Sequence, residues 1–335
     1  MRLKHARVRA FLTFVLFGVL VLAMSPAGAR RHVAPSPSPT ASFVPAPAAT
    51  PASQVARMQR LREELAEIAR TAPGRLGVAV YDLATDERIS VRGDEAFPLA
   101  SVYKLAIAVT AYRLADQKRL ALDERVVVTR GDLRHGASDI ARDHPRGGVT
   151  LTYWQLVRAM LVTSDNTASD VVLRAVGGPR AVQGVLRRLH VRGLAIRKSE
   201  AELAADARLH RNFADGGDNG GTPNAVAELL VGLARQRFTL LDSTYELINA
   251  LGDVQTGMNR LRAGLPPSVR LAHKTGTSDT IDGVSEATND AGLLTFPDGR
   301  RIAAVALLAQ SRADDGAREA TLARVGRAIA DAYAP

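Results

Sequence analysis

Lysine is scarce in a chain otherwise rich in positive charge. Of 44 Lys and Arg residues, only Lys4, Lys104, Lys118, Lys198 and Lys274 are lysine. Arginine keeps its proton near neutral pH and presents a broad fork, whereas lysine is a compact point charge that burial can deprotonate. Each lysine therefore raises a chemical question. Lys104 closes the S-x-x-K of Ser101-Val102-Tyr103-Lys104, and Lys274 opens the K-T-G of Lys274-Thr275-Gly276-Thr277, with Ser164-Asp165-Asn166 between them. Three residues apart on a helix, Ser101 and Lys104 share a face. At a helix start the Ser101 hydroxyl sits where the dipole favours negative charge. A buried Lys104 can take the serine proton, or stay charged and stabilise an alkoxide. Ser164 can relay a proton to a leaving nitrogen, and Asn166 can hydrogen-bond a substrate amide. Lys274 to Thr277 offers a cation, a hydroxyl and, at Gly276, close access to the backbone. The N–H groups of Ser101 and Thr277 would form an oxyanion hole. An S-x-x-K alone is a weak signal, and taken alone Ser101 and Lys104 could be an ordinary helix start with a snorkelling lysine. All three motifs in this order point to serine acyl transfer.

These side chains need elements to position them. Met58, Leu61, Leu65 and Ile68 recur at helical spacing, which predicts a helix over Val55–Thr71, stopped by Pro73-Gly74. Leu76, Val78 and Val80 alternate, as do Ile89 and Val91, which predicts a hairpin. A helix is expected from Ser101 to about Lys118. The middle of the chain reads as helical and loop-rich. Thr152 and Gln155 form a capping box ahead of Leu156, Val157 and Met160. Gly177-Gly178 ends one helix and Pro179 opens another. Strands return at Val269–His273, Ala291–Phe296 and Ile302–Leu308, and a last helix is expected over Ala317–Tyr333. Strands at both ends with helices between predict one sheet built from both termini, with a helical insertion beside it.

The N-terminus reads as a targeting segment. Arg2, Lys4, Arg7 and Arg9 precede a nearly continuous apolar run from Phe11 to Met24, and Ala27-Gly28-Ala29 supplies small residues at a cleavage site. That is the pattern of a secretory signal peptide over residues 1–29. The run is shorter than the roughly 20 apolar residues of a membrane anchor. The expectation is a periplasmic or secreted protein, with a membrane-tethered form as the alternative. Residues 30–54, rich in Ala, Pro and Ser, read as a semi-rigid linker. The net charge is +10, but Arg2, Lys4, Arg7, Arg9, Arg30 and Arg31 carry six of those charges, which leaves +4 on the remainder. No basic stripe with interleaved aromatics accompanies it, so nucleic acid is not expected as a partner. The absence of cysteine excludes disulfides, thiolate metal sites and cysteine nucleophiles. The seven histidines are scattered without the spacing of a zinc hydrolase, so neither metal nor cofactor is expected.

From about Val55 to the C-terminus the chain resembles the class A serine β-lactamases, within which it looks most similar to the PER-like, extended-spectrum branch. The resemblance is carried by Ser101–Lys104, Gly147–Thr152, Ser164–Asp170, Glu200–Leu203, His273–Ser278 and Ala287–Asp290. It implies a mixed α/β fold in which an antiparallel five-stranded sheet flanked by helices (about 55–118 and 257–335) meets an all-α part (about 119–256), with the site between them. It also implies a structural role for Asp170 and a small-molecule β-lactam as substrate. Glu200 follows Ser164 at the family's spacing and in a matching Glu-Ala-Glu-Leu context, so the resemblance assigns it to the water that deacylates the enzyme. Whether Lys104 or Glu200 deprotonates Ser101 stays open.

Several positions depart from the family pattern. Ala204 stands where most relatives have an Asn that helps hold the water. Lys198 replaces an Arg that usually clamps the same loop. The closing Asp cannot be placed: counting forward from Glu200 reaches Phe213, and counting back from Thr222-Pro223 reaches Asn219. The usual Arg–Asp clamp is therefore not expected. No Trp, Tyr or Phe lies between Leu133 and Arg142, and His135 there reads as a surface residue. Arg260 matches the position from which the PER-like branch binds the substrate carboxylate, and an exposed helix arginine is the alternative. His273 reads as a satisfied structural histidine. The expected function is a monomeric β-lactamase acting on penicillins and cephalosporins through Ser101, Lys104, Ser164 and Glu200, with Asn166, Lys274, Thr275, Gly276, Thr277 and Arg260 binding substrate. The alternatives are a D-Ala-D-Ala carboxypeptidase or slow penicillin-binding enzyme, and a non-hydrolytic peptidoglycan sensor.

Overall fold

The structure is a computed structural model that describes residues 51–206 and 218–334. The expected signal peptide and most of the expected linker lie outside the described residues. Helix α1 (Pro51–Thr71) leads into the hairpin β1 (Arg75–Asp82) and β2 (Arg88–Val91). A two-residue strand, β3 (Phe97–Pro98), precedes a 3-10 turn over Ala100–Tyr103 and helix α2 (Lys104–Asp116). Next come β4 (Arg125–Val128), α3 (Asp139–Asp143), β5 (Val149–Thr152), α4 (Tyr153–Val162), α5 (Asn166–Ala175) and α6 (Gly178–Arg188). They are followed by β6 (Leu194–Ile196), α7 (Glu200–Asp206), β7 (Asn219–Gly221), α8 (Pro223–Ala234), α9 (Leu241–Gly252) and α10 (Leu261–Gly264). The chain closes with β8 (Arg270–Thr277), β9 (Thr280–Ile281), β10 (Val284–Ser285), β11 (Thr288–Thr295), β12 (Arg301–Ala309) and α11 (Asp315–Tyr333).

One antiparallel sheet of five strands runs in the order β2-β1-β12-β11-β8, built from both ends of the described chain as expected. Its strands β1, β11 and β12 are buried on both faces, and the period-2 geometry sorts their side chains between two cores. On β12, Ala303, Val305 and Leu307 join the helical core of α2, α4, α5 and α8. Ile302, Ala304, Ala306 and Leu308 pack instead with α1, α10 and α11. This double burial explains why β12 reads as a continuous apolar run. The capping box of Thr152 and Gln155 forms at the start of α4, and Pro179 sits in the first turn of α6.

The middle is less purely helical than its sequence pattern indicates. β4 pairs with β5, and β3 pairs with β7, which pairs with β6. These strands are two to four residues long, too short to show an alternation. The small β3-β7-β6 sheet matters for the site, because it ties the segment just before Ser101 to the residues that flank α7.

Candidate active site

The three motifs converge where the edge strand β8 packs against the Ala100–Tyr103 turn. Ser101 lies in that 3-10 turn, and α2 begins only at Lys104. The serine thus precedes the α-helix rather than opening it. Two non-glycine residues beside it adopt left-handed backbone: Ala100 at φ 43° and Ser164 at φ 62°. Such conformations cost energy and persist only where the surroundings enforce them. At Ala100 the enforcement is visible. Asn289 Nδ2, on β11, donates to the carbonyls of Pro98 (2.8 Å) and Leu99 (3.1 Å) and staples the turn to the sheet. Gly276 explains itself in the same place. A Cβ there would sit 2.4 Å from the Leu99 carbonyl oxygen and 3.2 Å from the Ser101 nitrogen. The glycine is required by the approach of the nucleophile turn to β8, a reason that the residue type alone does not reveal.

Lys104 is fully buried, and its ammonium is the hub of the site. It donates to the Ser164 carbonyl (2.7 Å) and Asn166 Oδ1 (2.7 Å), and it pairs with Glu200 Oε1 at 3.1 Å. Ser164 Oγ lies 3.4 Å away. Burial pulls the Lys104 pKa below the ordinary lysine value, against the opposing pull of the Glu200 carboxylate. Ser101 Oγ has no hydrogen-bond partner among the described residues, so the expected Ser101–Lys104 contact is absent from this structure while Lys104 engages the other motif residues. Asn166 is already committed on both sides: its Oδ1 accepts from Lys104, and its Nδ2 donates to the His135 carbonyl at 3.2 Å. The left-handed turn at Ser164 is locked by Asp165, which caps α5 through the Ala168 N–H and accepts from Ser138 Oγ and the Ile140 N–H.

Lys274 is also fully buried. Its ammonium donates to the Thr275 carbonyl at 2.9 Å and has no carboxylate within ion-pair distance among the described residues. Burial first, and the Lys104 charge second, push its pKa well below the ordinary lysine value. A buried cation without a counter-charge is unfavourable unless an anion completes the site. Thr275 Oγ1 sits 2.5 Å from Thr256 Oγ1. Arg260 is buried, not an exposed helix residue. It donates from Nη1 to the carbonyls of Gly276 (3.1 Å) and Asn289 (2.9 Å), from Nη2 to Thr277 Oγ1 (2.8 Å), and from Nε to Glu319 (3.0 Å). It therefore braces the tip of β8. His273 is satisfied as expected, with Nδ1 2.7 Å from the buried Asp290.

Glu200 opens α7 and faces the same hub. Asp170 anchors it from α5, accepting from the Glu200 N–H (2.7 Å), the Ala201 N–H (3.0 Å) and Arg134 Nε (2.5 Å). Tyr103 donates its hydroxyl hydrogen to Glu200 Oε1 at 2.9 Å. The usual Arg–Asp clamp is absent, as expected, and other contacts join the described residues on either side of the segment that carries Glu200. Lys198 Nζ pairs with Asp218 at 2.6 Å. Asn219 accepts from the Arg197 and Lys198 N–H groups and donates to the Lys198 carbonyl. Asp218 escapes the count along the sequence, which lands one position later at Asn219. Phe213, the other position reached by counting, lies outside the described residues. Tyr103, Asp218 and Asn289 are the site residues that sequence reasoning missed. Tyr103 carried a signal as a polar ring inside the S-x-x-K motif, and Asn289 lay in the Ala287–Asp290 segment of the family resemblance, whereas Asp218 carried none.

A cavity of about 280 Å³ lies beside α7, lined by Leu133, Arg134, His135, Ala201, Ala204 and Ala205. His135 is exposed, as expected. A larger hollow of about 640 Å³ between α6 and β6, lined by Arg180, Gln183 and Arg187 among others, holds none of the motif side chains. No helix among the described residues is long and apolar enough to cross a membrane, and no group of His, Asp and Glu among them is placed to hold a metal ion.

Comparison with known proteins agrees with this geometry. A family model described as "Beta-lactamase enzyme family" matches residues 60–333. The chain is 29% identical over 259 residues to β-lactamase VEB-1 of Pseudomonas aeruginosa, covering 77% of this chain and 85% of that one. It is also 29% identical to the extended-spectrum β-lactamase PER-1 of Pseudomonas aeruginosa, covering 80% and 85%. The crystal structure of a β-lactamase from Chitinophaga pinensis superposes with a TM-score of 0.77 at 32% identity, over 81% of this chain and 98% of that one. With the family model spanning most of the described chain and the three motifs gathered around one buried lysine, the chain belongs to the β-lactamase enzyme family and is a class A β-lactamase.

Proposed function

We propose that the protein is an exported β-lactamase that opens the lactam amide of penicillins and cephalosporins through a Ser101 acyl-enzyme. In this reading Ser101 Oγ attacks the lactam carbonyl while the N–H groups of Ser101 and Thr277 stabilise the developing oxyanion. The serine proton passes to Lys104, or through water to Glu200, and Ser164 delivers a proton to the departing lactam nitrogen. Lys274, with Thr275 and Thr277, meets the substrate carboxylate, and Asn166 meets the side-chain amide. Arg260 acts on that carboxylate through Thr277, whose hydroxyl it already orients. Glu200 then activates water against the ester and frees Ser101. Export follows from the signal-peptide pattern of residues 1–29, which places the enzyme in the periplasm or outside the cell. The domain boundaries of the sequence reading belong to the same proposal, with a catalytic domain over 55–335 whose helical part spans about 119–256.

The observation that carries this reading is the convergence of Ser164, Asn166 and Glu200 on one buried ammonium, Lys104, beside a second buried ammonium, Lys274, with no carboxylate at ion-pair distance among the described residues. The experiment is hydrolysis of a chromogenic cephalosporin, together with mass spectrometry of the enzyme after mixing with a penicillin. Turnover with a transient adduct is expected, and Ser101→Ala should abolish the adduct. A stable penicilloyl adduct on Ser101→Ala would overturn the site assignment. A long-lived adduct on the unmutated protein would favour the penicillin-binding alternative.

A further inference from the structure

A general base must keep its carboxylate turned toward the water, and here the usual asparagine is replaced by Ala204, which has no side-chain donor. Glu200 is nevertheless held. Tyr103 is 2% exposed, and its hydroxyl lies 2.9 Å from Glu200 Oε1, the same oxygen that Lys104 Nζ approaches at 3.1 Å. The second carboxylate oxygen, Oε2, meets no donor among the described residues. Ser169 Oγ, on α5, lies 3.4 Å from the Tyr103 oxygen. A phenol has one hydrogen to give. With that hydrogen on the carboxylate, Ser169 is left to donate to the phenol oxygen.

We infer that Tyr103 is a positioning residue for deacylation, pinning Oε1 of Glu200 from behind so that Oε2 faces the water. This rests on the reading of Glu200 as the deacylation base. Lys104 cannot fill the role alone. It divides its hydrogens among Ser164, Asn166 and Glu200, and its hold on the carboxylate weakens whenever it gives up its charge. Tyr103 has no such weakness, because burial and the neighbouring Glu200 charge push its pKa well above the ordinary tyrosine value. It is a neutral donor through the whole cycle. The charged groups that act on Glu200 are the buried Lys104 and Lys274, and the Asp170 carboxylate accepts from its backbone N–H.

The test is Tyr103→Phe in the full-length enzyme, which removes one oxygen and keeps the buried ring. With a penicillin followed by stopped-flow and mass spectrometry, acylation should stay within about twofold of the acylation rate of the parent if Lys104 takes the serine proton, and should fall together with that of Glu200→Gln if Glu200 does. Deacylation should slow roughly tenfold, the scale of one hydrogen bond to a charged group. The acyl-enzyme should accumulate, and the acid limb of the deacylation–pH profile should move to higher pH, because the ionised base has lost a donor. Ser169→Ala should move the same readouts in the same direction by about two- to threefold. Glu200→Gln, run alongside, separates the two failures. If Glu200→Gln deacylates at the parent rate, the base reading falls and this proposal with it. If Glu200→Gln stalls as an adduct while Tyr103→Phe matches the parent in rate and pH profile, the proposal alone is overturned. A loss of acylation in Tyr103→Phe that Glu200→Gln does not share also overturns it, since the hydroxyl would then support the site by some route other than Glu200.

Discussion

The two walls of the site are held by different kinds of interaction. The wall of Lys274 is the edge of a five-stranded sheet, in register with β11 from Arg270 to Thr277 and backed by apolar cores on both faces. Its tip is braced by Arg260, and the nucleophile turn is stapled to it by Asn289. The wall of Glu200 is a seven-residue helix held by polar contacts: Asp170 to its first N–H groups, Tyr103 to its carboxylate, and Lys198, Asp218 and Asn219 at the loop ends. Apolar burial is spread over many atoms and degrades gradually, whereas a polar latch depends on a few atoms. Under the proposed mechanism, the acylating half of the site therefore sits on the more rigid frame, and the deacylating half is where single changes should uncouple release of product from its formation.

The largest test of that contrast is Glu200→Ala. A positioned general base is worth about 10²–10⁴ in rate. Acylation should persist on the intact Lys104, Ser164 and Lys274 frame, while deacylation falls toward the large end of that range. Mass spectrometry should show the lactam mass added to the protein and persisting after a single burst. Turnover of a good penicillin at the parent rate would mean that the two walls do not divide the reaction in this way.

A smaller and opposite effect is expected at Lys274→Met. The ammonium is fully buried with no carboxylate at ion-pair distance among the described residues, so the fold bears a desolvation cost that substrate would offset. The lowered pKa fixes the sign of the pH dependence. The unfolded chain binds this proton up to the ordinary lysine range and the folded chain does not, so the group's contribution to stability rises with pH across that interval. Lys274→Met should raise Tm at neutral pH and flatten that rise, while cutting kcat/KM for penicillins by about 10- to 100-fold through lost carboxylate binding. A fall in Tm would show that the ammonium is better solvated than its burial indicates.

The same contrast explains what was legible beforehand. The sheet, its two-ended construction, the helices and the K-T-G edge strand were readable because apolar periodicity encodes them directly. The motif residues Ser101, Lys104, Ser164 and Lys274 were readable because each chemical role restricts the residue type. The closing contact at Asp218 was not, because an ion pair between two residues far apart in sequence leaves no periodic trace. Nor was the brace at Arg260: an arginine that hydrogen-bonds two carbonyls and a hydroxyl inside the protein looks in sequence like one on a helix surface. Gly276 was expected to let substrate near the backbone, and the structure shows a further reason for it, the approach of the Leu99 and Ser101 backbone.

The smallest effect is expected at Asp218→Asn, and it asks what closes the Glu200 loop. Two devices stand side by side. One is the Lys198–Asp218 ion pair, whose side chains are 27% and 40% exposed. The other is the buried Asn219 amide, which accepts from two N–H groups and donates to the Lys198 carbonyl. Half-exposed ion pairs contribute about 0–1 kcal/mol and are screened by salt. A buried amide that satisfies backbone groups is costly to remove, because its partners are left without water. Asp218→Asn should therefore lower the deacylation rate by no more than about threefold, and the difference from the parent should shrink further in 0.5 M salt. Asn219→Ala should do more on every readout: a lower Tm, slower deacylation and insensitivity to salt. If Asp218→Asn instead cost as much as Asn219→Ala, the charge would be the latch, and the Glu200 wall would be an electrostatic construction from end to end.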